Sequence, residues 1–118
     1  MFEHAPVGYV VCNEAFRIES FNQRFRDMIP LSRDARGVPV NQFIDPASQD
    51  DFYFFLRDLS KKRGNEPVRV EVTMTDTTHS IPVKIEGNRF RKGKKNFFRL
   101  AISSLVQQKE TENRLRQK

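Results

Sequence analysis

With one cysteine, Cys12, the chain can form no intrachain disulfide, so its stability has to come from a packed core. A lone thiol also fits a reducing, cytoplasmic setting. Cys12 alternates with Val11 in an apolar segment, where a cysteine serves as a small buried hydrophobe. The two histidines, His4 and His79, lie far from each other and from Cys12, which leaves no ligand set for zinc. Both read as surface residues, and no metal is expected. Tryptophan is absent. The longest apolar stretches, around Val7–Cys12 and Phe52–Leu56, fall far short of the ~20 residues of a membrane span. Met1 to Asn13 does not place a basic segment ahead of an apolar one, as a signal peptide would. No membrane contact is therefore expected of this segment. There is no Gly-rich phosphate loop, Gly-x-Ser-x-Gly elbow or His-Glu-x-x-His pattern. Asp50, Asp51 and Asp76 sit beside turns or in a helix's first turn, where solvation and the helix dipole explain them. The segment reads as non-catalytic.

What the chain does have is phenylalanine, 11 in 118 residues, enough flat rings to close a core or to line a pocket in it. The length suits one domain, without internal repeats or low-complexity tracts. The net charge of +6 is local. Arg89, Arg91, Lys92, Lys94 and Lys95 crowd around Gly93, and Lys61, Lys62 and Arg63 form a second run. Both look like turns, and solvated turn charge is favoured over contact with phosphates. The alternative is a small nucleic-acid-binding domain that uses the Arg89–Lys95 hairpin.

Hydrophobic periodicity orders the elements. Val7 to Cys12 reads as a strand covered on both faces, and Phe16 to Ser20 alternates as a second strand, the two forming a hairpin. Asn22 suits a helix N-cap, and Phe21, Phe25, Met28 and Ile29 follow at helical spacing until Pro30. Residues 31–44 read as irregular, with one helical turn at most. Asp45-Pro46 opens the best helix: a capping carboxylate, then proline at the first position. Phe52, Phe55, Leu56 and Leu59 give it one apolar stripe, and Lys61, Lys62, Arg63 and Gly64 supply a C-terminal stop. Strands follow. Val68, Val70, Val72 and Met74 alternate with polar residues, as do Ile81, Val83 and Ile85, and then Phe98, Leu100 and Ile102 within 96–105. From Gln107 the chain is polar and helix-prone, with Glu110/Arg114 and Glu112/Arg116 four residues apart.

This order resembles the PAS family, and local sequences strengthen the likeness. Phe2-Glu3-His4-Ala5-Pro6-Val7-Gly8 resembles the family's opening. Phe16-Arg17-Ile18 with Asn22 and Phe25 resembles its second strand and first helix, and Phe43-Ile44-Asp45-Pro46 the approach to its long helix. The likeness implies an α+β fold: a five-stranded antiparallel sheet of order 2-1-5-4-3, helices on one face, and a C-terminal exit helix. It divides the chain into a PAS domain over 1–106 and the start of a signalling helix over 107–118. One departure stands out. The Asp-hydrophobic-Thr triplet that often closes the last strand of such sensors is replaced by Ser104-Leu105-Val106. Coupling to the exit helix then falls to apolar packing at Leu105 and Val106.

The resemblance also implies where a ligand would sit, between the sheet and the long helix. The residues there would be Phe25, Met28, Phe43, Phe52, Leu56, Val72 and Ile85, with Asn41, Gln42 or Arg99 as polar anchors. Rings at helical spacing fill a core before they line a cofactor site, so no cofactor is expected, a small apolar ligand being the alternative. Residues 46–63 lack the histidine of haem-binding relatives, and Arg36 to Phe43 lacks the cysteine of covalent flavin photosensors. Phe97, Ala101 and Leu105 fall on the side of the last strand opposite Phe98, Leu100 and Ile102, and an apolar row there suggests docking. The expected partner is a second copy, with Leu115 continuing the contact along the exit helix into a covalently linked output domain. The function read from the sequence is a PAS sensory and protein-interaction module of a larger signalling protein such as a sensor kinase or cyclase.

Overall fold

The computed structural model describes residues 7–28, 35–61, 66–75 and 80–105. Strand β1 is Gly8–Cys12, β2 Ile18–Phe21, helix α1 Gln23–Met28, helix α2 Gln49–Lys61, β3 Val68–Thr75, β4 Ser80–Lys92 and β5 Lys95–Ser104. All five strands form one antiparallel sheet of order β2-β1-β5-β4-β3. That is the order expected from the resemblance. The helices cover one face: α1 packs on β1, and α2 on β3 and β4. Ile29, Pro30, Gly64 and the whole segment 106–118, with the expected exit helix and Leu115, lie outside the described residues.

Strand alternation decides the core. Phe98, Leu100 and Ile102 of β5 are buried beside Val10 and Cys12 of β1, Val83 and Ile85 of β4, and Val72 and Met74 of β3. The apolar stripe of α2 closes over them with Phe52, Phe55 and Leu59, while Leu56 is half-buried at its edge. Gly87 of β4 makes this approach close. A Cβ built there would lie 2.8 Å from Phe55 Cζ and 3.0 Å from Leu59 Cδ2, so only a glycine lets the helix settle onto the strand.

Three local boundaries depart from the sequence reading. The second strand begins at Ile18, because the Asn13 side chain accepts from the backbone N–H groups of Ala15 and Arg17 and builds a turn. Phe16 is carried in that turn at φ 59, and its ring stacks on Phe98 at 4.5 Å. The long helix is preceded by a 3-10 turn, Pro46–Ser48, whose N-terminus Asp45 caps by accepting from Ala47 N at 2.9 Å. The expected cap and proline are thus in place, one turn ahead of the α-helix proper. Lastly, the basic residues around Gly93 are mostly strand. Lys92 pairs with Lys95 across the two-residue turn Gly93-Lys94, with Gly93 at φ 65. Backbone pairing to β5 carries β4 beyond Gly87, its last residue opposite β3.

Candidate functional site

Asn22 is the fully buried polar residue of the described core. Its Oδ1 accepts from Phe25 N, capping α1, and also from Tyr9 N of β1, while its Nδ2 donates to Val7 O. One amide therefore ties the start of β1 to the first helix, and burial of the Asn22 side chain strengthens each of those bonds. Capping was readable from the sequence; the link to β1 was not, since it joins residues 13 and 15 positions apart. Gly8 serves the same junction, for a Cβ there would lie 3.1 Å from Met28 Sδ and 3.2 Å from Phe25 Cα.

On the helix-covered side, Phe25, Phe52, Val72 and Ile85 are buried in one apolar cluster, with Met28, Phe43 and Leu56 packed half-buried against it. Phe25 meets Phe43 edge-on at 5.9 Å, and Phe52 stacks on Phe55 at 5.7 Å. The apolar members of the expected set are thus together. The polar ones are not brought to them. Asn41 and Gln42 are exposed in the 3-10 turn Val40–Phe43, where the Asn41 carbonyl accepts from Gln49 Nε2. Arg99 is exposed on the far side of the sheet, its guanidinium 5.1 Å from the centre of the Phe90 ring. Cys12 is buried here too. Burial first, and the nearby Glu19 carboxylate second, push its thiol up to about 12, so it stays protonated and inert near neutrality.

The uncovered face of the sheet is divided. Toward β3 it is ionic: Arg69 pairs with Glu86 at 2.8 Å, and Lys84 stands opposite Glu71. Toward β1 and the hairpin it is apolar and aromatic, apart from the exposed Arg99 between Phe97 and Ala101. Phe97 stacks on its cross-strand neighbour Phe90 at 5.6 Å, and Ala101 stands opposite Tyr9. Leu105 is half-buried one residue beyond β5. Of the expected interface residues, Phe97 and Ala101 thus share this face. Phe90 and Tyr9 were missed, Phe90 because it stands between arginines and hides its alternation. On the opposite side of the molecule, Tyr53 and Phe54 of α2 are exposed, with Arg57 4.8 Å from the Phe54 ring centre.

Arg89 produces a juxtaposition that no local pattern displays. Its Nη1 donates to Ser60 O at 2.9 Å, stabilising the negative end of α2 and bringing Lys61 to the hairpin that carries Arg91, Lys92, Lys94 and Lys95. Lys61, remote from that hairpin in sequence, thus shares one end of the molecule with it, while Lys62 and Arg63 lie outside the described residues. Among the described residues, no group of three histidine, cysteine, aspartate or glutamate side chains is placed to hold a metal. Among the same residues, no helix is long and apolar enough to cross a membrane.

No sequence-family model matches the chain, and no curated protein does. Solved structures do. A PAS domain from a two-component sensor histidine kinase superimposes with a TM-score of 0.67 at 10% identity, covering 86% of this chain and 87% of that one. The PAS domain of an HTR-like protein from Haloarcula marismortui gives 0.68 at 19% identity, over 87% and 90% of the two chains. That of the nitrogen regulation protein NR(II) from Vibrio parahaemolyticus gives 0.67 at 8% identity, over 87% and 93%.

Proposed function

Taking as premise that the chain adopts the PAS fold, we propose that it is a sensory and protein-interaction module of a larger signalling protein, working as a homodimer through the uncovered face of its sheet. The observation that carries the reading is the apolar half of that face. Phe97, Ala101, Tyr9 and Phe90 lie together along and beside β5, the strand from which the chain leaves the sheet at Leu105. Burial of its apolar and aromatic area favours pairing, and the Phe90 ring beneath the Arg99 guanidinium offsets part of the cost of covering that charge. Its partner is a second copy, and the exit segment 107–118 continues from the paired sheets into an output domain. Signalling is then a population shift: a change in strand tilt or helix packing at β5 is handed to the exit segment, without chemistry in this domain. The core operates without haem or covalent flavin, and the protein works in the cytoplasm, where Cys12 remains reduced.

The test is sedimentation velocity of the full chain across a hundredfold range of concentration. A monomer–dimer equilibrium that Phe97→Asp and Ala101→Asp abolish is the expected result. A monomer at every concentration overturns the docking reading.

A second reading has a specific observation in its favour, the Arg89–Ser60 contact that brings Lys61 to the basic hairpin. Lys92 and Lys95 stand directly opposite each other, a like-charge pair that a polyanion would relieve. If nucleic acid is the ligand, retention falls steeply with salt and disappears when Lys92, Lys94 and Lys95 are neutralised together.

A further inference from the structure

A cleft of about 320 Å³ opens on the uncovered side, where the β1–β2 turn meets the start of β5. It is lined by Asn13, Glu14 and Ala15 of the turn, Glu19 of β2, and Lys95, Asn96 and Phe97 of β5. Its size is at the small end of ligand sites, roughly 300–1,000 Å³, which suits a small metabolite and not a haem or a dinucleotide. The frame is rigid. Asn13 Oδ1 holds the turn by accepting from Ala15 N and Arg17 N, and Glu14 Oε1 accepts from Asn96 N at 3.0 Å, joining two hairpins 82 residues apart in sequence.

The groups left over have complementary chemistry. Lys95 brings an ammonium, Glu19 a carboxylate, Asn96 a side-chain amide and Phe97 an apolar ring, and the first three make no ion pair or hydrogen bond through their side chains with another described residue. Both signs of charge in one small cleft, beside an aromatic wall, match a molecule that carries both signs itself. Lys95 argues against a metal ion, as does the want of a third ligating side chain among the described residues.

We propose that this cleft binds a free α-amino acid with an apolar side chain. The ligand carboxylate accepts from Lys95 Nζ and Asn96 Nδ2, its ammonium donates to Glu19, and its side chain rests against Phe97. The site is separate from the apolar core but shares Phe97 with the face proposed to pair with a second copy, so ligand and partner compete for that ring.

The experiment is an NMR titration of the full chain, isotopically labelled, with L-leucine, N-acetyl-L-leucine and L-leucine methyl ester. Saturable shifts confined to the backbone amides of Ala15, Glu19, Asn96 and Phe97 are expected with L-leucine. Removing either ligand charge, as the two derivatives do, is expected to weaken binding about tenfold or more. Lys95→Met and Glu19→Gln, both at exposed positions, are expected to do the same while leaving the rest of the spectrum in place. No saturable shifts with L-leucine, equal binding of the derivatives, or indifference to both substitutions would each overturn the proposal. Dimer dissociation by Ala101→Asp, which lies outside the cleft, is a separate readout, and titrating that variant shows whether pairing hides the cleft, so failure here leaves the docking reading intact.

Discussion

Asn22 shows how one side chain can do two jobs that substitutions tell apart. Asn22→Ala leaves the N–H groups of Tyr9 and Phe25 and the carbonyl of Val7 without this partner, and each buried group so stranded costs about 1–3 kcal/mol. Asn22→Asp keeps an equally good cap for Phe25 N but turns an oxygen toward Val7 O, where a donor is needed. If the link to β1 matters as much as the cap, Asn22→Asp is destabilised nearly as far as Asn22→Ala at pH 7 in chemical denaturation, and recovers on acidification when the carboxyl gains a proton to donate. Full retention of stability at pH 7 would reduce Asn22 to a cap. Cys12 supplies a second residue-level test. Its thiol ionises at about 12 in the fold against 9.0 ordinarily, so above pH 9 the unfolded chain loses a proton that the folded chain keeps. Stability therefore falls as pH rises from about 9 toward 12, and Cys12→Ala, though less stable at neutrality, flattens that part of the profile. A slope unchanged by the substitution would mean that other groups cause the alkaline loss.

At the scale of elements, the meeting of α2 with β4 depends on absent volume. A methyl group at Gly87 collides with Phe55 and Leu59 from the helix and lies 3.1 Å from Leu100 Cδ2 of β5. Gly87→Ala is thus an overpacking change worth about 1–3 kcal/mol, visible as a lower midpoint in thermal or urea unfolding. Gly37, at φ 81 with open space around its Cα, is destabilised by alanine through its backbone conformation instead. A Gly87→Ala protein as stable as the parent would show that α2 can shift outward from the sheet freely. The elements themselves were readable where period and punctuation agree: Asp45-Pro46 ahead of the Phe52–Leu59 stripe, and the alternation of Val68 to Met74. They were misread where a side chain overrides periodicity. Asn13 turns Phe16 out of a strand pattern, and pairing with β5 makes strand of the charge-rich residues 88–92, which looked like loop.

For the molecule as a whole, the ordered set of local likenesses led to the strand order, because each is tied to a place in the chain and together they admit few topologies. The candidate sites were less readable. Apolar residues of the core face follow from alternation, but Arg99 falls on the other face, and the Glu14–Asn96 and Arg89–Ser60 contacts join positions with no shared local pattern. The sheet order makes a prediction at this scale. β5 is paired on both sides, with β1 and β4, whereas β2 and β3 are edges. Amide hydrogens of Leu100 and Ile102 can open only when the sheet and the core covering it come apart, so their exchange should report global unfolding. Those of Glu19 to Phe21 in β2, a short edge strand with a register shift between Val11 and Cys12 of its partner, lie past the Ile18 amide that donates to Val38 O and should exchange much faster through local opening. Denaturant added below the transition should speed exchange at Leu100 and Ile102 with the full slope of unfolding and hardly affect β2. Were β2 to share that slope, the sheet would open as one unit. A signal arriving at the β1–β2 turn would then move β5 directly, and would not first loosen the edge.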